Sequence, residues 1–542
     1  MSHLCRFFIA NLLIHIPILT EQDVGDYETM VKAKKRLLAC AMVYVAARYV
    51  PGCKTIQTML LADILTIIKP LPHGCDEETR WTNLQALAVL YNWAVPLDLA
   101  SRTDSDRSNP VLQYDALRAP IETVARQCSL HRAAEDLATS LEQHHNDLDV
   151  HQTIAFRKYL FWLWLFGVVH LRSLWARSPP SIQPDSSIRS CRRLLQNHFH
   201  DDQVRRILSQ VELCLIWTHP THREWWCSLP SENDLESTLA VLKDMDEALE
   251  SWRRTWFPPD QTRSNKSQSH TIDFQYCFSR LCVSAYVTKL HQLLASARTS
   301  PLVTLSLITK TIERASQFSR LFLGLRPLSK SVVRFGPEDT FAMLTLGCHY
   351  VLCAHRLLAD ADIVKPGHLS IVRSMAELMV ELGIDSKHSG RVYGESLLGS
   401  LPPQLQATQP NTSYWHASPS QPPELQSPEV ERTVSASSKV WTCSQPVNAG
   451  PPGSRQLFEV AAALDQVWPF SAVSMRDKHT PLPRTALWTS GETGTQAGQQ
   501  SQQPMAVAPS ATGPDVIGLG FDYDGSAPLI YAPGDESISY TT

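Results

Sequence analysis

Residues 300–324 read SPLVTLSLITKTIERASQFSRLFLG, and this stretch decides the fold class. Ser300 with Pro301 supplies a cap and a first-turn proline, while Gly324 followed by Pro327 supplies the stop. Between them Leu305, Ile308, Ile312, Ala315 and Phe322 recur at helical spacing along one face. The same period runs from Met1 to about Gly383, with almost no alternation of period two bounded by hairpin turns, so an all-α fold is predicted. A second helix is expected over Glu338–Leu358, opened by Pro337 and apolar on most sides, hence buried between others. Further helices are expected around Ala33–Tyr49, Ile56–Ile68, Asn83–Trp93, Pro120–Ser129, Ile154–Trp175, Asp202–Trp217, Asn233–Trp256, Thr271–Ala297 and His368–Leu382.

Working outward, proline-bearing polar loops are expected at Arg102–Pro110, Arg177–Asp185 and Pro258–His270. After Leu397 the composition turns to Pro, Gln, Ser, Thr and Gly, which cannot bury enough apolar surface to offset the entropy of ordering. The expected organisation is a helical domain over 1–390, with a weak point at the loop near 258–270, and a disordered tail over 398–542. Two islands stand out in the tail. Leu457, Val460, Leu464, Val467 and Trp468 share one face of a short amphipathic helix suited to a partner groove, and the C-terminus mixes acids with aromatics as activation segments do. The plainer alternative, incidental apolar residues in a solvated tail, stays open for both.

Lys plus Arg number 49 against 53 Asp plus Glu, a net charge of −4 that suits neither a basic nucleic-acid coat nor an acidic tail protein. The 13 cysteines form no Cys-x-x-Cys pair, so neither a disulfide framework nor a local zinc site is implied. No phosphate loop, nucleophile elbow or dinucleotide turn occurs; Gly394-Glu395-Ser396-Leu397-Leu398-Gly399 has the wrong spacing for an elbow. The His144/His145/His151 and His198/His200 clusters lack metal-ligand spacing and read as polar loops. The acidic clusters of a terpene synthase are incomplete, since Val241 stands where the last acid is needed. The apolar peak Tyr159–Leu171 is about 13 residues, short of a membrane span. Composition therefore predicts an intracellular protein with no membrane segment, no catalytic residue and no resident cofactor.

Taken in order, several stretches resemble the regulatory, or middle homology, domain of fungal binuclear zinc-cluster transcription factors. Ile16-Pro17-Ile18-Leu19 resembles the exit of that family's opening helix, and Ala46-Ala47-Arg48-Tyr49 its next helix. Leu84-Gln85-Ala86 opens a run similar to its Leu-Gln-Ala-Leu signature. Leu130-His131-Arg132 resembles its Gly-Leu-His-Arg run, with Ser129 in place of the glycine. Arg157-Lys158 leading to Trp162 resembles its basic-then-tryptophan helix, and Arg177 with Pro179-Pro180 its Arg-Pro-Pro loop. Phe161 stands for the first tryptophan and Val168 for the usual aspartate. From the residues alone, Trp162 reads as core packing and Arg157 and Lys158 as a solvated face or paired charges.

The resemblance implies a nuclear transcriptional regulator whose helical domain controls the tail and senses a small molecule. Its partners would be the transcription machinery or a DNA-binding protein, with pairing of two copies open. DNA would be reached indirectly or through a further N-terminal segment, and zinc would enter only with a cluster in that segment. The alternative is a zinc-less helical protein that modulates a DNA-binding partner; a lesser one is an all-α enzyme with catalytic groups converging from distant helices.

Overall fold

The computed structural model describes residues 1–406 apart from 70, 73, 96–112, 144–152, 177–179, 199–200, 219–234, 258–265, 296–300, 359–362 and 387. Among the described residues every regular element is a helix, with one isolated bridge between Val95 and Gln113. In chain order they are α1 (Ser2–Asn11), α2 (Tyr27–Lys32), α3 (Arg36–Ala46), α4 (Lys54–Ile68), α5 (Glu77–Asn92), α6 (Tyr114–Gln127), α7 (Ala133–Gln143) and α8 (Ile154–Ala176). Then follow α9 (Asp202–Trp217), α10 (Leu235–Trp256), α11 (Lys266–Ala295), α12 (Pro301–Leu323), α13 (Pro327–Val333), α14 (Glu338–Leu357), α15 (Pro366–Leu382) and α16 (Ser389–Ser400). One-turn helices at Ser186–Arg189, Cys191–Leu194 and Pro403–Gln406 fill the joins.

Two helices form the centre of the N-terminal layer. α5 starts where Asp76 accepts the Thr79 amide at 2.6 Å, with Glu77 and Glu78 facing the positive end of the helix. Every residue from Thr82 to Asn92 is then buried, so α5 is enclosed by α3, α4 and α6. α8 is the other. Its 23 residues exceed the apolar peak expected from the sequence, and Ile154–Leu174 is long and apolar enough to cross a bilayer by length and composition. In the fold 83% of that window is buried, against α7 and α9, as befits a core helix. Trp81 of α5 and Phe161 of α8 meet edge to face at 5.6 Å, and Trp162 and Trp164 are buried beside them. Val168 is buried among apolar neighbours.

The C-terminal helices pack as α11 on α12, α12 on α14 and α15, and α15 on α16. A Cβ at Gly394 would lie 2.7 Å from the Ala376 carbonyl oxygen, so the absence of a side chain lets α16 approach the backbone of α15. Helices α10 and α11 both reach α9, and one apolar core runs through all these layers.

Several boundaries differ from the sequence expectation. α5 begins six residues ahead of Asn83, and α11 begins at Lys266, inside the expected loop. Pro120 lies within α6 rather than opening it, because Tyr114 is held by Tyr91 and by the Arg172 guanidinium, 5.2 Å from each ring partner. α16 and Pro403–Gln406 continue past residue 390, with Leu397 and Leu401 buried. The expected loop at Arg102–Pro110 and the tail from 407, including Leu457, Val460, Leu464, Val467 and Trp468, lie outside the described residues.

Candidate functional site

Asp23, in the segment before α2, is 4% exposed and gathers partners from distant parts of the chain. Its carboxylate accepts the Thr20 amide at 3.0 Å, the Thr20 hydroxyl at 2.9 Å, the Gln85 side-chain amide at 3.0 Å, and the Arg157 guanidinium. Burial pushes this carboxyl up, but the Thr20 amide, Arg157 and Gln85 outweigh it and hold Asp23 below the usual carboxylate range. The fold thus brings together two residues that the family resemblance singled out separately, Gln85 and Arg157. Lys158 turns the other way, to Glu77 at 2.6 Å. Both basic residues are therefore paired charges, one of the two readings their sequence allowed.

A second network ends α5. The last carbonyls of a helix lack internal partners, and here two arginines supply them. Arg172 of α8 donates to the Tyr91 carbonyl at 2.6 Å and the Asn92 carbonyl at 2.9 Å, while Arg48 donates to the Trp93 carbonyl at 2.8 Å. The same two arginines pair with the first turn of α14: Arg172 with Asp339 at 3.2 Å and Arg48 with Glu338 at 2.5 Å. Glu338 also accepts the Ser389 hydroxyl, which ties in α16. Arg172 is 1% exposed, with its guanidinium 4.6 Å from the Tyr91 ring centre. Burial would favour its loss of charge, yet Asp339 and the two tyrosines more than compensate. The clamp thus joins the C-terminus of one central helix to the N-terminus of another through two opposite charges.

A third network sits on α10, α11 and α12. Asp246 accepts from Arg314 at 2.6 Å and Arg280 at 3.2 Å, and Arg314 also donates to the Ser284 hydroxyl at 2.6 Å. Beside it lies a cleft of about 390 Å³ with an apolar bed that includes Leu242, Val283 and Leu307, and a charged rim of Lys243, Glu247 and Lys310. It is a half-open surface cleft, apolar at its base and charged at its rim.

The remaining predicted residues serve packing or surface roles. Leu84, Ala86 and Leu130 are fully buried, whereas His131 and Arg132 are exposed, Arg132 facing Glu135 at 3.8 Å. Trp162 is core, its ring 6.4 Å from that of His131. Pro180 is half-buried and its carbonyl accepts from Gln183, while Arg177 and Pro179 lie outside the described residues. Ser129 occupies the left-handed region at φ 59°, ψ 30°, a backbone state that a glycine takes without cost.

Among the described residues no group of three or more His, Cys, Asp or Glu could hold a metal ion. His198 packs on Phe156, and Asp201, expected in a polar loop, caps α9 by accepting the Gln203 amide at 2.7 Å. His144, His145, His151 and His200 lie outside the described residues. Burial pushes the Cys128 and Cys191 thiols up, to about 11 and about 12. Sequence reading gave no role to Asp23, Arg48, Arg172, Glu338 or Asp339. Arg172 had a visible signal, a lone charge ending an apolar run; Asp23 had a local partner in Thr20, but the Gln85 and Arg157 contacts that bury it come from 62 and 134 residues away.

No protein-family model matches the chain, and searches of curated proteins and of solved structures return no match.

Proposed function

We propose that this chain is the helical regulatory part of a nuclear transcriptional regulator of the fungal zinc-cluster type, with the segment beyond residue 406 acting as its activation region. The observation that carries the reading is the ordered series of motifs, two of which, at Gln85 and Arg157, meet on the buried Asp23. The cleft beside Asp246 and Arg314 offers a place for a small-molecule effector, close to the helices whose packing an effector would bias.

Tethering tests the proposal. The full chain, fused to a heterologous DNA-binding domain and expressed in a fungal cell, is expected to change transcription of a matching reporter at least tenfold, and removal of 407–542 is expected to abolish the change. A nuclear fusion with no effect on the reporter would refute it. The chain's lack of any Cys-x-x-Cys pair favours delivery to DNA by a partner or a further segment. Gel-shift of the purified chain is therefore expected to show no sequence-specific binding, and co-purification from nuclei a DNA-binding protein.

A further inference from the structure

Helix α4 is apolar nearly all the way round, yet only Leu60, Ile64 and Ile67 are buried by its neighbours. A helix of that composition is ordinarily covered on every side. Its outer face carries Thr55, Thr58, Met59, Ala62, Leu65 and Thr66, all exposed, with Met59 at 68% and Leu65 at 46%. No charge interrupts this stripe. Asp63, to one side, is drawn to Arg36 at 3.0 Å, and Lys54 and Lys69 lie at the ends. The Thr58 and Thr66 hydroxyls donate to the Lys54 and Ala62 carbonyls at 3.4 and 3.0 Å, so neither needs a hydrogen-bond partner from outside the helix.

The stripe is also symmetric about Ala62. Met59 and Leu65 lie three residues before and after it, and Thr58 and Thr66 four before and after. We propose that α4 is a self-association surface, pairing antiparallel with α4 of a second copy about a two-fold axis through Ala62. That axis sets Met59 of one copy against Leu65 of the other, and Thr58 against Thr66, as an isologous contact requires. The small Ala62 at the crossing lets two helices reach a normal packing distance of about 8–10 Å. A second copy is favoured over another partner because the face complements itself in size at each position from Thr58 to Thr66 and carries no charge there that would choose an opposite. One helix stripe buries well under about 1,000 Å², so the pairing is weak and reversible. The pairing follows from the surface of α4 and does not rest on the regulatory reading.

Sedimentation equilibrium of the full chain between about 1 and 200 μM is expected to show the mass rising from one copy towards two. Met59→Glu with Leu65→Glu should hold it at one copy with an unchanged circular dichroism spectrum, since both side chains are exposed. Ala62→Cys places two thiols at the axis, and mild oxidation should give a reducible covalent dimer at several times the yield of wild type. Thr55→Cys is the control, because two-fold pairing holds its two copies about 21 Å apart along the helix. A chain that stays single throughout overturns the proposal. So does one that pairs while Ala62→Cys crosslinks no better than Thr55→Cys, or one whose Ala62→Cys instead captures a different protein.

Discussion

Arg172 and Asp339 stand 167 residues apart in the chain and 3.2 Å apart in the fold, Nε to Oδ2. The pair matters because the same guanidinium also closes the C-terminus of α5, so one side chain determines how three helices meet.

Arg172→Met is expected to be among the costliest single substitutions. It strands the Tyr91 and Asn92 carbonyls and leaves Asp339 without its arginine. Breaking such a buried pair from one side costs about 3–5 kcal/mol. Urea unfolding should show the loss, with Asp339→Asn milder because the arginine keeps both carbonyls.

Acid should weaken the fold through His170. Its Nε2–H donates to the Ile182 carbonyl at 2.8 Å, and burial pushes its pKa from 6.5 down to about 4. A base depressed in the folded state contributes its full stability above the unfolded value, and that contribution is lost as pH falls from about 6.5 to about 4. The loss at pH 4 is about 3 kcal/mol. His170→Gln keeps a donor without a titrating ring, so its melting temperature should fall less steeply across this window.

Ser129→Gly should stabilise the protein. A residue with a Cβ at φ 59° pays about 1 kcal/mol that glycine does not, an amount only partly offset by glycine's greater freedom when unfolded. Ser129→Val should lose at least as much, because a branched side chain tolerates that region least. Thermal melts of the three proteins rank them.

Limited proteolysis should yield a helical fragment ending beyond Leu401. Cleavage at 390 would cut through α16, whose Leu397 is fully buried and whose Gly394 seats it on α15. Mass spectrometry of the stable fragment reads the end directly; a fragment stopping before Ser389 would count against α16 as part of the folded body.

Much of the helix order was legible because a helix is written locally. The apolar face of period 3.6 predicts Asp202–Trp217 and the helix spans those residues, although Asp201, expected in a polar loop, caps it. Short or weakly patterned pieces such as α2, α7 and α16 were missed, since tertiary contacts stabilise them. The candidate site was less legible. Gln85 and Arg157 were marked by resemblance, but their meeting point, Asp23, belongs to no pattern of its own. Arg48 lies within a motif that gives no hint of its reach to Glu338, 290 residues on.

The sequence by itself determined that this protein is all-α, roughly where its main helices lie, and that Trp162 packs in the core, because period, caps and breakers act over a few residues. Only the tertiary structure decided which charges are shared. Arg48, Arg172 and Arg157 could each have faced water. Each is instead paired with a carboxylate from a distant part of the chain, and Arg48 and Arg172 also meet free carbonyls at the end of α5, because burying a guanidinium is tolerable only where its charge and its donors are both met.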